Sequence, residues 1–257
     1  MDIFLCIMIF LMGTVFGSFF TLAVYRIPLK KDITHERSFC PNCNHRLEFL
    51  DLIPILSYIA LGGKCRYCGQ KIRIRYLMLE TLSGIVFLFA FLSLNNRFPY
   101  YEASKFVYLA FFIFMYITLA ITIGIDNEKK KIHMGVITFG VICQIVYIVY
   151  LYIFELKFNI YRYGIYILLI ILLFVIRRFI KNNKYLVEIL ILVSYINLCI
   201  GTEYTFITLI ISSIVYFIQM LIKKIRKNRR IKLLNIGAII GICTVIVEIV
   251  KNYYIFY

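Results

Sequence analysis

The chain has 257 residues, of which 62% are hydrophobic and 16% charged, and its mean hydropathy is +0.87. A soluble domain of this length cannot bury so much apolar surface. The composition therefore excludes a soluble fold and indicates a protein embedded in a lipid bilayer. The formal net charge of +16 could suggest a nucleic-acid partner. The Lys and Arg residues cluster, however, in loops beside apolar runs, as membrane topology requires, and we therefore expect no nucleic-acid binding.

The first apolar run begins almost at the N-terminus and continues to Val24. It lacks the basic region that precedes the apolar part of a signal peptide, and we expect it to remain as a first transmembrane helix. Further apolar runs of about 17–25 residues, the length that spans a bilayer as a helix, follow along the chain. The sequence predicts about eight spans, near Ile3–Val24, Tyr76–Leu94, Phe106–Ile125, Gly135–Phe154, Tyr163–Val175, Leu186–Gly201, Tyr204–Ile222 and Ile236–Val250.

Basic residues divide the predicted loops into two classes. The segment from Arg26 to Arg75 carries ten Lys or Arg residues, and loops rich in these residues stay in the cytoplasm. The N-terminus is then outside, and the other basic clusters, at 127–133, 177–184 and 223–232, also fall on the cytoplasmic side. The sequence therefore predicts an all-α polytopic membrane protein with three parts: a first helix at 1–25, a cytoplasmic loop domain at 26–75 and a helical domain at 76–257.

Two CxxC pairs lie in the cytoplasmic loop, Cys40-Pro-Asn-Cys43 and Cys65-Arg-Tyr-Cys68, with 21 residues between them. This is the spacing of a zinc ribbon, in which each pair supplies two thiolates to a tetrahedral ion and a residue such as Gly69 permits the tight turn. Four thiolates close the coordination shell and leave no place for a reactive water. We therefore predict a structural Zn²⁺ held by all four cysteines.

The same residues allow other interpretations. Two disulfides would use the same cysteines, but the cytoplasm is reducing. A thioredoxin-like redox pair would need a βαβ pattern, which the sequence lacks. His35 and His45 flank the first pair and could replace a cysteine as ligand, although with four cysteines present we expect them to be surface residues.

Several ordered motifs resemble one known family. The stretch GSFFTLAVYRIP at 17–28 is similar to the motif that closes the first helix of type IV prepilin peptidases, also called leader peptidase/N-methyltransferases. The stretches DLIPILSY at 51–58 and GKCRYCG at 63–69, and the segment from Arg75 to Glu80, resemble that family almost position for position. The resemblance covers roughly the first 85 residues, and beyond them few positions are identical.

This resemblance implies a fold, an activity and partners. The family is embedded in the bacterial inner membrane and uses two aspartates to cut a short leader from prepilin-like or pseudopilin-like proteins. It commonly then methylates the new N-terminal residue with S-adenosylmethionine, so this cofactor is implied as well. The sequence has no G-x-G-x-x-G loop, and its residues alone do not predict a methyltransferase.

An aspartic peptidase needs two carboxylates close enough to share a proton, one ionised to activate water and one protonated to polarise the scissile carbonyl. Asp126, at the cytoplasmic end of the third predicted span, matches the family's first catalytic aspartate. The alternative is an ordinary helix-end acid, solvated beside the lysines at 129–131. On the resemblance, we assign Asp126 a catalytic role.

The second carboxylate is where the chain departs from the family pattern. The family's second aspartate lies in a GxGDxK motif at the start of the sixth span, and this chain has neither that motif nor any aspartate after Asp126. Glu188 falls within a residue of the missing position, whereas Tyr185 and Val187 stand in place of the glycines. The other acids of this half fit less well, because they lie beside Asp126 or toward the outer side: Glu128, Glu155, Glu203 and Glu248. We predict Glu188 as the second catalytic group, or else as a pairing residue in a degenerate site.

Three hypotheses for function result. The first is a prepilin leader peptidase that acts through Asp126 and Glu188 at the cytoplasmic membrane face. The second is a peptidase-inactive relative that binds prepilins during assembly or only methylates them. The third, a metal transporter, is disfavoured because the CxxC pairs lie in a loop. Glu80, in the second span, is a further intramembrane acid that either has a function or pairs with Arg73 or Arg75.

Overall fold

The computed structural model describes residues 3–33, 37–97, 102–154, 160–180, 183–226 and 233–254. Within these ranges the regular structure is helical apart from two isolated β-bridges, so the all-α prediction is confirmed. The α-helices are α1 (Ile3–Arg26), α2 (Leu56–Ala60), α3 (Arg75–Arg97), α4 (Glu102–Lys129), α5 (Met134–Phe154), α6 (Ile160–Phe179), α7 (Lys184–Ile200), α8 (Thr202–Arg226) and α9 (Ile236–Tyr254). Two 3₁₀ helices, Ile27–Leu29 and Phe49–Leu52, lie between α1 and α2.

Each predicted span overlaps one long helix, but not every long helix qualifies as a span. Among the described residues, five helical segments are long and apolar enough to cross a membrane: Ile3–Leu29, Arg75–Ser93, Phe106–Lys129, Met134–Phe154 and Thr202–Lys223. These five segments confirm a multi-pass membrane protein. Helices α6, α7 and α9 are not among them, so the count of eight spans stays a prediction.

The chain divides into two compact units, Met1–Asn95 and Asn96–Tyr257. In the first unit, glycines let α1 approach α3 closely. A Cβ atom on Gly13 would lie 2.7 Å from the carbonyl oxygen of Ser83, and one on Gly17 would lie 2.7 Å from the Cα of Glu80. The two glycines are four residues apart and so lie on one face of α1, which is the small-residue packing typical of membrane helices.

The second unit is a bundle built around α4 and α7. Helix α4 packs against α5 and α9, and α7 packs against α5, α6, α8 and α9. Side chains inside this bundle are almost completely buried, for example Leu119 of α4 and Tyr195 of α7. Gly140 of α5 permits a close approach to both helices, because a Cβ there would lie 2.6 Å from Thr118 and 2.7 Å from the hydroxyl of Tyr195.

Short connections bring several helix ends together at one end of the second unit. Helix α4 ends at Lys129, and Lys130 has a left-handed backbone (φ 50°) that turns the chain toward α5. Ile132 in this turn is completely buried. The first turns of α7 and α9 contact the same region through the side chains described below, and this is where Asp126 and Glu188 lie.

Candidate functional site

The four cysteines of the loop form one cluster. Their Sγ atoms all lie within 4.8 Å of one another, and those of Cys40 and Cys68 are 3.9 Å apart. A tetrahedron with Zn–S bonds of ~2.3 Å places its sulfur atoms ~3.8 Å apart. The cysteines are not joined in disulfides, and Cys40 and Cys65 are buried while Cys43 and Cys68 are exposed. The donor set and its spacing therefore fit a metal ion such as Zn²⁺.

The two CxxC segments have the same backbone pattern. The N–H groups of Cys40 and Cys65 donate to the carbonyls five residues later, at 3.0 and 2.8 Å, and each cysteine carbonyl accepts from the residue four positions on. Those fourth residues, Asn44 and Gly69, both have left-handed backbones, with φ of 54° and 70°. Asparagine tolerates this conformation better than most residues, so it replaces glycine in the first turn. The sequence indicated the turn only at Gly69.

Backbone N–H groups favour the thiolate form of two ligands. The N–H of Cys43 lowers the pKa of the Cys40 thiol. The N–H of Gln70, helped by the Asn42 side chain at 3.6 Å, lowers the pKa of Cys68 to about 6. At Cys43 the N–H of His45 acts in the same direction, but burial and the neighbouring thiols outweigh it and raise the pKa to about 11. Metals bind the thiolate, so the hydrogen bonds prepare Cys40 and Cys68, but not Cys43, for a cation.

The histidines beside the cluster fit the surface interpretation where the structure describes them. His45 stacks on Tyr67 with ring centroids 3.6 Å apart, and it is not part of the cysteine cluster. His35 lies outside the described residues.

An ion pair ties the 3₁₀ helix at 49–52 to the second CxxC segment. The Nε of Arg66 donates to Asp51 Oδ1 at 2.7 Å, and the hydroxyl of Tyr67 donates to Oδ2 at 3.3 Å. Burial would raise the pKa of Asp51, but the hydrogen bond and charge of Arg66 lower it below its usual value. The Asp51 carboxylate also accepts the N–H of Glu48, which stabilises the start of this 3₁₀ helix.

In the second unit, Asp126 is completely buried near the end of α4. Its Oδ1 accepts the hydroxyl of Tyr185 at 2.8 Å, and its Oδ2 accepts the N–H of Ala238, in the first turn of α9, at 2.8 Å. The Asn235 side chain donates to the Asp126 carbonyl. Gly237 allows this approach, because a Cβ there would lie 2.8 Å from Oδ2. The carboxylate thus binds the N-terminus of α9, where the helix dipole stabilises negative charge.

Glu188 is 3% exposed and lies one turn into α7. Its Oε1 accepts two bonds from Arg177, from Nε at 3.1 Å and from Nη2 at 2.6 Å. Its Oε2 accepts the N–H of Ile132 at 3.1 Å. Glu188 thus lies at the same end of the bundle as Asp126, and its charge is paired with that of Arg177.

The structure brings both predicted carboxylates to one region without joining them. Tyr185, which contacts Asp126, and Glu188 are three residues apart and so share a face of α7. Within the described ranges no hydrogen bond links the Asp126 and Glu188 carboxylates; each is bound by its own donors. The arrangement is that of two neighbouring buried acids rather than of a pair that shares a proton directly.

The remaining acids differ widely in environment. Glu128 and Glu203 are exposed, and Glu155 lies outside the described residues. Glu248 of α9 is buried and accepts the hydroxyl of Tyr108 at 2.5 Å and the ammonium of Lys251 at 3.2 Å. It lines a small cavity whose other walls are largely aromatic, including Tyr108. Glu248 therefore belongs to a separate polar cluster.

Sequence reasoning missed the partners that hold these acids. It counted Arg177 only as a topology signal and Tyr185 only as a lost glycine. It also did not predict that the Oε2 of Glu80 accepts the N–H of Ile55 at 2.8 Å. The spacing of Tyr185 and Glu188 was a usable signal, but the other contacts join residues far apart in the sequence.

Comparison with known proteins gives matches to the N-terminal part of the chain. Residues 11–94 match the bacterial peptidase A24 N-terminal domain. The chain is 41% identical over 81 residues to the prepilin leader peptidase/N-methyltransferase of Myxococcus xanthus, covering 32% of this chain and 24% of the relative. For the proteins of that name from Klebsiella pneumoniae and Bacillus subtilis, the identities are 38% and 36%, covering 32% and 39% of this chain and 39% and 41% of the relatives.

These matches cover the N-terminal part of the chain and less than half of each relative. The chain spans at most about two fifths of the length of these relatives, and no solved structure matches it. Asp126 and Glu188 lie outside the matched domain, whereas the four cysteines lie inside it. Residues 11–94 are therefore similar to the N-terminal domain of the bacterial peptidase A24 family, in agreement with the resemblance of the motifs from Gly17 to Glu80.

Proposed function

We propose that this chain is a membrane-embedded endopeptidase that removes the leader of a type IV prepilin-like or pseudopilin-like protein. The observation that carries the proposal is the peptidase A24 N-terminal domain at 11–94. Its relatives are named prepilin leader peptidase/N-methyltransferase. The acids Asp126 and Glu188 support it, because both are buried at the same end of the helical bundle, and buried ionisable groups cluster at functional sites.

The proposed reaction is hydrolysis of one peptide bond. One carboxylate, ionised, accepts a proton from the attacking water, and the other, protonated, donates to the scissile carbonyl oxygen. The proton gained then passes to the leaving amine. Because Asp126 and Glu188 are bound by different donors, we assign the water a place between them, within hydrogen-bond reach of both.

The four cysteines have a structural role in this proposal. Zn²⁺ bound by Cys40, Cys43, Cys65 and Cys68 would cross-link two loop segments that are otherwise held by few hydrogen bonds. A closed set of four thiolates leaves no position for substrate or water. Removing the metal should therefore unfold the loop rather than stop the chemistry directly.

Methyl transfer from S-adenosylmethionine comes to this chain only through the names of its relatives. The described loop, 37–74, is occupied by the two CxxC turns, the 3₁₀ helix and α2. We assign no residue of this chain to the methyl donor. We place the chain in the bacterial inner membrane, with the N-terminus outside and the loop cytoplasmic, on the ten basic residues of that loop.

A second candidate function is a peptidase-inactive relative that binds prepilins or only methylates them. One observation favours it: every carboxylate oxygen of Asp126 and Glu188 already accepts at least one hydrogen bond from the protein. Arg177 in particular neutralises Glu188, and a proton that this carboxylate takes up must displace the guanidinium, which donates two hydrogen bonds to its Oε1.

One experiment separates the two candidates. The chain is co-expressed with a prepilin encoded beside it, and leader removal is followed by the mobility and N-terminal sequence of the pilin. The peptidase proposal expects cleavage by the wild type, loss in Asp126→Asn and Glu188→Gln, and cleavage by the matched control Glu203→Gln, whose side chain is exposed. Cleavage that survives both substitutions refutes the assigned acids, and no cleavage by the wild type favours the inactive relative.

A further inference from the structure

The loop between α1 and α3 carries several exposed apolar side chains on two short helices that pack together. The 3₁₀ helix at 49–52 packs against α2. Together they expose the apolar loop patch, defined here as Phe49, Leu50, Leu52, Leu56 and Ile59, whose exposed fractions are 81%, 60%, 41%, 63% and 64%. Five large apolar side chains together, outside the membrane-spanning helices, indicate a surface that binds something apolar.

A hydrogen bond attaches the backbone beside this patch to the N-terminal part of helix α3. Glu80 lies five residues after the start of α3 at Arg75, which is ~7.5 Å along a helix axis. Its carboxylate accepts the N–H of Ile55, immediately before α2. Glu80 also lies beside Gly17, nine residues before the end of α1 at Arg26. The backbone next to the patch is therefore bound at a depth along α3 where residues of α1 and α3 pack against each other.

The backbone turn at Ile55 is strained. The surrounding structure, including the hydrogen bond from Ile55 to Glu80, holds the turn in this conformation. Ile55 has φ 63° and ψ −54°, and the N–H of Leu56 donates to the carbonyl of Pro54 at 2.6 Å. This is a γ-turn with a β-branched residue at its centre, a rare and strained conformation. The turn directs α2 so that Leu56 and Ile59 are exposed.

Other bonds restrain the rest of the loop. Arg26, at the end of α1, is 4% exposed and donates to the carbonyls of Asp32 and Arg37 at 2.9 and 3.4 Å. The Asp51–Arg66 ion pair holds the 3₁₀ helix against the second CxxC segment. The patch is thus part of a folded loop that is attached to both α1 and α3.

The loop that carries the patch is basic overall, which favours an anionic surface as its partner. From Arg26 to Arg75 the chain has ten basic and four acidic residues, a net charge of +6. Interfacial segments combine such basic residues with apolar side chains that enter the boundary between headgroups and acyl chains by ~5–10 Å. We propose that the apolar loop patch inserts into the lipid bilayer, so that the metal-binding loop lies on the membrane surface instead of extending into the cytoplasm.

The sequence offers a direct test, because the chain contains no tryptophan. A single tryptophan is introduced as Phe49→Trp or, independently, as Ile59→Trp, and each full-length variant is reconstituted at one copy per nanodisc with anionic lipids. Gln70→Trp, at an exposed polar position of the second CxxC segment, is the matched control. Emission is compared in discs with ordinary and brominated acyl chains, and with acrylamide in the water.

Insertion predicts that Phe49→Trp and Ile59→Trp emit at shorter wavelength than Gln70→Trp, are quenched at least severalfold more by brominated lipid, and are protected from acrylamide. Acrylamide quenching equal to that of Gln70→Trp, with no effect of bromine, overturns the proposal. So does blue-shifted emission that is insensitive to bromine, since it would mean that protein covers the patch. The test does not depend on peptidase activity.

Discussion

Replacing Arg177 with methionine tests whether the Arg177–Glu188 pair stabilises the bundle. The substitution keeps an unbranched apolar stem but removes the guanidinium that gives Glu188 two of its three hydrogen bonds, at 2.6 and 3.1 Å. Removing one partner of a buried ion pair costs ~3–5 kcal/mol, because the other charge stays buried. The Glu188 side chain is 4% exposed and that of Arg177 is 27% exposed, so we expect ~3 kcal/mol, the lower end of this range.

The pair also predicts an asymmetry and a coupling. Glu188→Met should cost less than Arg177→Met, since the half-buried guanidinium can turn toward water whereas the carboxylate cannot. The double variant removes both charges, and well-packed apolar replacements of a buried pair are often close to neutral. We therefore expect the two single costs to exceed the double cost by ~2 kcal/mol, well outside the ~0.5 kcal/mol within which independent sites add.

Reversible unfolding in mixed detergent micelles, followed by circular dichroism, measures these free energies for the wild type and three variants. Arg178→Met is the control, because Arg178 is the exposed neighbour on the same helix. If Arg177→Met costs no more than Arg178→Met, or if the two single costs simply add, the pair does not stabilise the bundle. Glu188 would then be free to act as a base, which would strengthen the peptidase proposal.

Two further predictions concern the first unit. Gly17→Leu should push α1 and α3 apart, because even its Cβ would lie 2.7 Å from the Cα of Glu80. Overpacking of this kind costs ~1–3 kcal/mol. The unfolding midpoint of Gly17→Leu should therefore be lower than that of the control, Ser18→Leu. Metal content after dialysis should stay near one ion per chain at neutral pH and fall in acid, because protons then compete with the metal for the four cysteine thiolates. Complete loss of the metal on dialysis at neutral pH would contradict a closed four-thiolate site.

The fold was largely predictable from hydropathy. Long apolar runs specify helices in lipid because each helix satisfies its own backbone hydrogen bonds, and all eight predicted runs overlap a long helix. The predicted ends of the helices were also close to the observed ends. For example, the span predicted at Gly135–Phe154 corresponds to the helix at Met134–Phe154. Hydropathy alone does not decide which of these helices cross the bilayer. Helix α7, for example, has 17 residues, which is at the lower limit of the length that spans a bilayer.

The candidate site was predictable only in part. Asp126 and Glu188 could be selected because acids are rare in apolar helices and the chain has no later aspartate. Their partners could not be selected, since Arg177 and Gly237 carry no local signal of contact with them. The separate donors of the two acids, which bear directly on catalysis, emerge from the packing of α7 and α9 against the end of α4.

The sequence by itself determined the membrane, the helices and the four-cysteine cluster, because hydropathy and CxxC spacing act over short stretches of chain. Only the tertiary structure decided how buried charges are paired. An acid buried in a bundle must find its donors wherever packing brings them: Asp126 at the N-terminus of α9, Glu188 at Arg177 and Glu80 at Ile55. Those contacts join residues that are 11 to 112 positions apart, so no local pattern could predict them.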